Sequence, residues 1–382
     1  NTAGESGAGK PKTKVPPSPN LASLPTRDSK QQAGQHQNFH VTDEQVAIIE
    51  KASEGINIAI EALAGTGKTT TLKLLAESKR KSKGTYVAFN KSIVDEARGK
   101  FPTTVACSTA HGLAFRSVGR DYASRLNSTQ RLSFHQIAEW LEAKPFRFKS
   151  PISNHVLDPP QMAHHARATV RRFCKSIDSE ISARHVDPPA LIGSSSRNTK
   201  AFAAAVLPLA KKIWADLLLH QGTMKFDHDN YLKMWQLSKP KIESDFILFD
   251  EAQDADPVML DVISSKGSTQ LFYCGDQFQA IYEWRGAINA LTMVDVDEHL
   301  WLTQSFRFGP AIAAEANRFL DQLNCPKTLT GTLGIDSSLK EVPNPDAILS
   351  RTNGGVISAI LEEQSKGRRV SIIGRPEELI GF

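Results

Sequence analysis

The chain has 382 residues, of which 40% are hydrophobic and 23% are charged, and its formal net charge is +5 at pH 7. This composition excludes a wholly disordered chain and favours a globular protein with room for two or more domains. The four cysteines show no Cys-x-x-Cys spacing, which argues against a zinc site or a disulfide framework and suits a reducing compartment. No apolar run reaches membrane-spanning length, so we expect a soluble intracellular protein with no membrane partner.

The two ends of the chain differ from its middle. Residues 1–38 are rich in Gly, Pro, Ser, Lys and Gln and poor in apolar residues, a composition that predicts a disordered leader. Residues 369–373 (RVSII) have the pattern of a new strand, and the sequence stops at Phe382 soon afterwards. We therefore expect a fragment of a longer protein.

A phosphate-binding loop is predicted at residues 61–71, which read EALAGTGKTTT. Residues 56–62 resemble a buried strand and residues 69–78 have the apolar spacing of a helix, which is the frame that G-x-x-x-x-G-K-[ST] requires, although Ala62 replaces the first glycine. Backbone N–H groups and the helix N-terminus would surround a nucleoside triphosphate, Lys68 would reach its β- and γ-phosphates, and Thr69 would hold Mg²⁺. The loop residues expected at the nucleotide are Ala64, Gly65, Thr66, Gly67, Lys68 and Thr69. The alternative is a glycine-containing turn that binds no ligand.

Residues 121–239 have a different character, with helical patterning and many basic residues, and they predict a mostly helical insertion in the α/β domain. Within them, basic side chains recur at helical intervals and could face nucleic acid. A solvated helix face would give the same spacing, so both interpretations stay open. The cluster consists of His164, His165, Arg167, Arg171, Arg172 and Lys175.

A second acidic motif, ILFDEAQD, lies at residues 247–254. Residues 245–249 predict a buried strand that delivers Asp250 and Glu251 to its C-terminal end, where open α/β sheets bind ligands. Because neighbouring residues of a strand point to opposite faces, Asp250 would hold Mg²⁺ through water while Glu251 would accept a proton from the attacking water. The alternative is a solvated acidic turn after a buried strand.

Six segments, in chain order, resemble the motifs of superfamily 1 DNA helicases of the UvrD/Rep type. The similarity covers residues 41–375, and the wording of AFNKSI, SFRFGPAIA and ILSRTN is most similar to the F-box DNA helicase branch, although no F-box segment is present. No segment resembles motifs V or VI, so this chain alone would bind ATP yet hydrolyse it poorly. The six segments are VTDEQ (residues 41–45), YVAFNKSI (86–93), STAHGL (108–113), ILFDEAQDA (247–255), LFYCGDQFQAIYEWRGA (271–287) and LTQSFR (302–307).

The resemblance implies a RecA-like parallel-sheet domain, 1A, formed by residues 39–120 and 240–298. Residues 121–239 would be the helical insertion 1B, and residues 299–382 would begin a second RecA-like domain, 2A, that is truncated here. The implied cofactors are ATP and Mg²⁺.

The resemblance also assigns roles to residues around the nucleotide. Gln45 would contact the nucleotide, Gln279 would sense the state of the γ-phosphate, and Arg307 would act as an arginine finger. Two positions near the adenine depart from the family pattern, because Thr70 stands where a basic residue is frequent and Phe306 where a tyrosine is frequent. The set expected to carry catalysis is Lys68, Asp250, Glu251, Gln279 and Arg307.

Several residues are expected to contact DNA. Tyr282, Trp284 and Arg285 combine aromatic and cationic side chains in one short segment, which is typical of stacking on unpaired bases, although packing between domains is the alternative for the two aromatic residues. Four further residues follow strand-like segments at the same sheet edge, and for a lone histidine a simple hydrogen bond is the common alternative. These four are Phe89, Asn90, Lys91 and His111.

The leading prediction is an ATP-dependent DNA helicase that moves 3′ to 5′ on single-stranded DNA, with strand junctions as partners and repair or recombination as its setting. The direction comes from the resemblance alone. The alternative is a motor-incomplete module that binds ATP and DNA or recruits a partner. A P-loop kinase or GTPase is disfavoured because no segment resembles the guanine-specifying N-K-x-D loop. We expect a cytoplasmic, nucleoid-associated protein if the source is bacterial or a phage, and a nuclear one if it is eukaryotic.

Overall fold

A computed structural model describes residues 41–129, 131–149, 153–192, 196–264, 267–281 and 289–372. The leader predicted for residues 1–38 lies outside the described residues. From Glu44 onward, the described residues belong to one compact unit.

The helices and strands are numbered here in chain order. The α-helices are α1 (Asp43–Ser53), α2 (Lys68–Ser78), α3 (Lys91–Ala97), α4 (Ala110–Ser117), α5 (Ala123–Leu126), α6 (Phe134–Leu141), α7 (Pro159–Cys174), α8 (Ser196–Leu217), α9 (His228–Leu237), α10 (Pro257–Ile263), α11 (Ala290–Met293), α12 (Pro310–Gln322) and α13 (Asn353–Ser365). The strands are β1 (Ile58–Ala62), β2 (Gly84–Ala88), β3 (Val105–Thr109), β4 (Phe146–Lys149), β5 (Asn154–Leu157), β6 (Phe246–Asp250), β7 (Gln270–Gly275), β8 (Glu298–Leu302), β9 (Gln304–Ser305) and β10 (Thr330–Gly331). Short 3₁₀ helices lie at Gly119–Tyr122, Ala183–His185, Ala190–Ile192, Ala252–Asp254 and Gln277–Gln279.

A parallel sheet with the strand order β3-β2-β6-β7-β1-β8 forms the centre of the α/β part. Every residue of β1, β2 and β6 is buried, as expected for strands covered on both faces by helices. The predicted α/β class with a parallel sheet is confirmed. Only β7 separates β1 from β6, and all three strands are parallel, so the loops that follow β1 and β6 emerge at the same sheet edge.

The parallel sheet includes a strand that begins at residue 298. β8 pairs in parallel with β1, and its last residue, Leu302, stands opposite Ala62. Just before β8, the Asp297 carboxylate accepts a hydrogen bond of 2.8 Å from the backbone N–H of Asn57, which holds the entry of this strand against the start of β1. The first α/β sheet therefore continues four residues beyond residue 298, where we predicted domain 1A to end.

Residues 121–239 are mostly helical, as predicted, with one antiparallel hairpin formed by β4 and β5. The start of α7 illustrates how local sequence sets these helices, because Asp158 and Gln161 form a reciprocal capping box and Pro159 occupies the first turn. Its core face repeats at helical spacing through Met162, Ala166 and Val170, all of which are buried.

A buried ion pair links the two ends of this helical region. The guanidinium of Arg125 lies 3.3 Å from the Asp216 carboxylate, and the two side chains are only 7% and 6% exposed. Arg125 also donates to the backbone carbonyls of Leu219, at 2.6 Å, and Met224, at 2.7 Å. Arg125 thus holds the connection that follows α8 through hydrogen bonds to its backbone carbonyls.

The strand predicted at residues 369–373 is wrong for residues 369–372, which are described and form no strand. Val370 and Ile372 are 38% and 37% exposed. A β-pattern needs a neighbouring strand to complete its hydrogen bonds, and none of the described residues supplies one here. Residue 373 lies outside the described residues.

Candidate nucleotide-binding site

The loop between β1 and α2 has the geometry of a phosphate-binding loop. Gly65 and Gly67 have φ angles of 75° and 83°, in the left-handed region that favours glycine. The buried Thr66 hydroxyl donates to the Leu63 carbonyl at 2.7 Å, which tightens the turn. α2 then begins at Lys68, with exposed Thr69 and half-buried Thr70 in its first turn. Backbone N–H groups and a helix N-terminus therefore meet at one place, which suits an anion.

Lys68 and Glu251 form the centre of the site. The Lys68 ammonium lies 2.9 Å from Glu251 Oε2. Burial lowers the pKa of Lys68, but the charge of Glu251 and the hydrogen bond to it outweigh that effect and raise the pKa above its usual value. Glu251 Oε2 also accepts a hydrogen bond of 2.7 Å from the Gln253 amide. The carboxylate predicted to act on water is thus held by two donors.

The side chains of Asp250 and Glu251 point in different directions, but not for the reason that was predicted. Asp250 is the last residue of β6, but Glu251 has left the strand and adopts a φ of 54° at the start of a 3₁₀ helix. The left-handed turn, not strand alternation, sends Glu251 toward Lys68 and leaves Asp250 buried. A non-glycine residue at positive φ is uncommon and typical of functional sites.

Asp250 is 2% exposed and both of its oxygens are hydrogen-bonded. Oδ2 accepts from the Tyr86 hydroxyl at 2.6 Å, and Oδ1 accepts from the backbone N–H of Glu251 at 2.9 Å. Burial, followed by the neighbouring charge of Glu251, raises the pKa of Asp250 to about 6. This carboxylate is fixed in orientation and is costly to ionise, so a cation nearby would stabilise it.

Three more acidic residues surround the site, and the sequence analysis did not assign roles to them. Glu61 in β1 is 5% exposed, and burial raises its pKa to about 7. Burial and the charge of Glu251 raise the pKa of Asp254 to about 6, and its buried Oδ1 has no hydrogen-bond partner among the described residues. Burial also raises the pKa of Asp276.

These carboxylates test whether the site suits a divalent cation. Oxygen donors are what Mg²⁺ takes from proteins, and it usually uses only one or two protein ligands together with phosphates and water. No group of three or more His, Cys, Asp or Glu side chains with metal-binding geometry occurs in the described ranges. Asp250, at the sheet edge beside the phosphate loop, and Thr69, in the first turn of α2, suit a cation that is held mainly by a nucleotide.

Gln253 connects the two acidic motifs. Its carbonyl oxygen accepts a hydrogen bond of 3.0 Å from the backbone N–H of Asp276, while its amide donates to Glu251. An added Cβ on Gly275 would lie 2.3 Å from that same oxygen, so only glycine leaves room for the contact. Gln279 lies one turn further and donates to Asp276 Oδ2 at 2.6 Å. One chain of hydrogen bonds therefore runs from Lys68 to Gln279.

The segment after β9 packs directly on the phosphate loop. The backbone N–H of Phe306 donates to the Gly65 carbonyl at 2.9 Å. An added Cβ on Gly65 would lie 2.8 Å from Arg307 Cβ, and one on Gly67 would lie 3.6 Å from the Phe306 ring and from Gln45 Nε2. The structure thus brings Gln45, Phe306 and Arg307 to the loop.

Gln45 itself is anchored from the helix side. It is 1% exposed and its amide donates to the Thr71 hydroxyl at 3.0 Å. The neighbouring Glu44 accepts from the backbone N–H and the hydroxyl of Thr303, at 2.8 and 2.6 Å. Helix α1 is therefore tied both to α2 and to the segment that carries Phe306. Ala64 is half-buried between these parts.

The residues expected to contact DNA are placed less uniformly. Phe89 is half-buried, Asn90 and Lys91 are exposed, and Asn90 Oδ1 caps α3 by accepting from the Ile93 N–H at 3.0 Å. Half-buried His111 has Nε2 at 3.4 Å from Asp229 Oδ1, so a hydrogen-bonded structural role competes with a DNA contact. Tyr282, Trp284 and Arg285 lie outside the described residues.

A parallel sheet, a strand–glycine loop–helix unit and an acidic strand end at the same edge define a P-loop nucleotide-binding domain. Within this class, the family model of the UvrD/REP helicase N-terminal domain matches residues 41–298. The chain belongs to this family, which confirms the resemblance found in its motifs.

The chain is also similar to individual proteins. The chain is 32% identical over 348 residues to F-box DNA helicase 1 of Gallus gallus, covering 87% of this chain and 33% of that protein. It is 33% identical over 320 residues to F-box DNA helicase protein 1 of Schizosaccharomyces pombe, covering 81% of this chain and 36% of the other. The crystal structure of Pif1 helicase from Candida albicans matches 90% of this chain and 61% of the other, with 14% identity and a TM-score of 0.34.

The chain spans about a third of the length of the two F-box helicases that it matches. In the part of the chain that the structure describes, no helix is both long and apolar enough to cross a membrane.

Proposed function

We propose that this chain is the nucleotide-binding part of an ATP-dependent DNA helicase or translocase. It would act on single-stranded DNA and strand junctions, move 3′ to 5′, and couple hydrolysis to strand separation in repair or recombination. The polarity rests on the family resemblance. Because the two F-box relatives come from eukaryotes, we expect the whole protein to work in the nucleus.

The contact between Lys68 and Glu251 carries the proposal. It joins the phosphate loop to the acidic strand end at 2.9 Å, so both partners lie where the terminal phosphate of ATP would enter. A phosphate there would compete with Glu251 for the Lys68 ammonium. Glu251, still held by Gln253, would then be free to accept a proton from the attacking water.

Other residues would position the nucleotide. Thr69 and Asp250 would hold Mg²⁺, which neutralises phosphate charge when bound. Phe306 and Gln45, which flank Gly67, would contact the base, and Thr70 lies in the adjoining turn of α2. A ring face tolerates any base, so selectivity for adenine would depend on the Gln45 amide.

Two residues would link the nucleotide to movement. Arg307 lies against Gly65 and would stabilise charge on the transferring phosphoryl group as an arginine finger. Gln279 ends the chain of hydrogen bonds that starts at Lys68, and it would report the state of the phosphate to the segment that follows. That segment carries Tyr282, Trp284 and Arg285, which would stack on unpaired bases, while Phe89, Asn90, Lys91 and His111 would contact the strand backbone.

The test is ATP hydrolysis stimulated by single-stranded DNA, measured on the full-length protein. Lys68→Ala and Glu251→Gln should each lower the stimulated rate by about 10²-fold or more, because each removes a group that acts on the reacting phosphate or water. Lys73→Ala and Glu77→Gln are matched controls, since this pair lies on the exposed side of the same helix α2 at 3.8 Å. Equal rates in all four variants would refute the assignment of the site.

Polarity needs its own measurement. Partial duplexes with either a 3′ or a 5′ single-stranded tail are offered to the same protein, and strand displacement is followed by fluorescence. We expect displacement from the 3′-tailed substrate only. Displacement from the 5′-tailed substrate alone would reverse the proposed direction and leave the nucleotide site untouched.

A second candidate function is a module that binds ATP and DNA, or recruits a partner, without being a complete motor. Large apolar side chains are fully open in the region after β10, with Leu333 91% exposed and Leu349 96% exposed. Large apolar side chains that are this exposed suit a region that another protein or domain covers. Tight ATP binding by this chain without DNA-stimulated hydrolysis, next to an active full-length protein, would favour this function for the chain.

A further inference from the structure

A cavity of about 360 Å³ lies within the helical region, away from the phosphate loop. Helices α6, α7 and α8 and the segment that leads into α9 form its walls. Its volume falls within the range of about 300–1,000 Å³ that is typical of small-ligand sites. Nothing in the proposed nucleotide chemistry uses it.

The rim of the cavity is strongly basic. Arg167 and Arg171, one helical turn apart on α7, face it together with Arg131 and Lys225 from two connections, and Asp227 is its one acidic lining residue within the described ranges. None of the three arginines has a carboxylate within 4.0 Å among the described residues. These three guanidinium groups therefore form no close ion pair with a described carboxylate, which leaves them available to an anion.

The neighbouring arginine on α7 shows that this arrangement is specific. Arg172 forms a short ion pair with Asp187, and it does not line the cavity. The basic cluster seen in the sequence is therefore divided by the fold, with one part neutralised and another part turned toward the cavity. Sequence spacing alone could not separate the two.

Below the rim, the cavity is apolar. Val170, Ile213 and Leu217 line it and are 2%, 2% and 3% exposed, and Leu132 lies half-buried at its edge. An inorganic anion would gain nothing from such a floor. A ligand that joins an anionic group to a flat apolar body would use both parts of the site.

The cavity also adjoins a residue expected to contact DNA. Asp229, in the first turn of α9, lies 3.4 Å from His111 Nε2, and the next residue, Asn230, lines the cavity. The pKa of Asp229 is held below its usual value, first by the hydrogen bond to His111 and then by the charges of Lys175 and Arg171. His111 and the cavity are thus connected through two consecutive residues of α9, Asp229 and Asn230.

We propose that this cavity binds one nucleotide unit, with the base on the apolar floor and the phosphate between the rim arginines. The inference rests on the proposed function, because the unit would belong to a strand that runs past His111. A free nucleotide has the same chemistry, and the experiment separates the two sources.

The experiment compares charge reversal at two adjacent arginines of full-length protein. Arg171→Glu changes the rim, whereas Arg172→Glu changes net charge equally on the same helix outside the cavity. Binding of a fluorescent oligothymidylate is followed by anisotropy over a range of salt concentrations. Arg171→Glu should weaken binding about tenfold or more and reduce the slope of log affinity against log salt by about 0.7, while Arg172→Glu stays within about twofold.

Further arms test the floor and the source of the ligand. An abasic oligonucleotide of the same length should bind more weakly than oligothymidylate, and Leu132→Ser should shrink that difference. Binding of thymidine 5′-monophosphate is measured by calorimetry. If Arg171→Glu abolishes this binding but leaves the affinity for the oligonucleotide unchanged, the cavity binds a free nucleotide and not a unit of the strand. Thermal melts confirm that each variant is folded, with Arg167→Glu as a second rim variant.

The outcome that overturns the proposal is equal strand binding and equal monophosphate binding in Arg171→Glu and Arg172→Glu. Failure of the proposed function would look different, because the unaltered full-length protein would then bind no oligonucleotide and show no stimulation of ATP hydrolysis by DNA.

Discussion

The hydrogen bond from Tyr86 to Asp250 gives a prediction whose size follows from the structure. Tyr86 is fully buried in β2, and its hydroxyl lies 2.6 Å from the Oδ2 atom of a carboxylate that is 2% exposed. Tyr86→Phe removes this donor and keeps the ring. A hydrogen bond to a charged group is worth about 1.5–3 kcal/mol and one between neutral groups about 0.5–1.5 kcal/mol. The loss of stability should therefore depend on whether Asp250 is ionised.

The sign of the pH effect follows from the two pKa values of Asp250. Its ordinary value is 3.8 and its value in the fold is about 6, so ionisation costs folding stability as the pH rises through about 6, and that stability returns as the pH falls. The difference corresponds to about 3 kcal/mol at about 1.36 kcal/mol per pKa unit. Without the Tyr86 hydroxyl the pKa of Asp250 should rise further, because that hydrogen bond favours the ionised form.

Urea unfolding without nucleotide, at pH 8 and at pH 5, measures the effect. Tyr86→Phe should lower the free energy of unfolding by about 1.5–3 kcal/mol at pH 8 and by about 1 kcal/mol less at pH 5. The matched control is Tyr273→Phe in strand β7, the neighbour of the strand that carries Asp250, and the Tyr273 hydroxyl pairs with the neutral Ser264 hydroxyl at 2.8 Å. Its loss should be the same at both pH values. Identical losses for Tyr86→Phe at pH 8 and pH 5 would refute the reasoning about the buried charge.

Two further substitutions test the loop and the helical region. Gly65→Ala should cost more than the roughly 1–2 kcal/mol of left-handed strain and abolish nucleotide binding, because its φ is 75° and the added Cβ would lie 2.6 Å from a serine hydroxyl of β9. Gly55→Ala is the control, because Gly55 has a φ of 81° and no atom within 4 Å of an added Cβ, so this substitution adds backbone strain without a clash. Equal unfolding midpoints for Gly65→Ala and Gly55→Ala would contradict the steric argument. Arg125→Met should lower the free energy of unfolding by about 3–5 kcal/mol, because it leaves buried Asp216 without its partner. Exposed Arg120→Met should change it by no more than about 0.5 kcal/mol, and a similar loss in both arginine variants would rule out a special role for the buried pair.

The phosphate loop could be predicted from sequence because its chemistry is local. A β-branched run, two glycines and GKT specify strand, left-handed turns and helix within a few residues, and the structure forms them with small shifts at the ends. Glu61 shows the limit of such reasoning. It lies inside the strand, where a buried carboxylate looks like an exception to the apolar pattern. Its pKa is raised mainly by burial, and then by the charge of Asp276, so it depends on parts of the chain that are distant in sequence.

Non-local pairing of strands also limits what local sequence can predict in the second half of the chain. β8 joins the first sheet because its residues pair with β1, and the Asn57–Asp297 hydrogen bond that fixes this register spans 240 residues. Nothing in the residues near 298 reveals that partner. The opposite case is found at residues 369–372, where a β-pattern has no partner strand within the described residues.

A chain of hydrogen bonds through Gln253 connects the separate motifs. Glu251 Oε2 accepts from both Lys68 and Gln253, so a phosphate that takes Lys68 leaves Gln253 as the side-chain donor to that carboxylate. The opposite end of the same amide accepts from the Asp276 N–H, and the Asp276 carboxylate in turn accepts from Gln279. Because an amide is rigid, any turn of Gln253 toward Glu251 must strain or release its bond to Asp276. We therefore expect binding at the phosphate loop to change the hydrogen bonds of Gln279 through Glu251, Gln253 and Asp276.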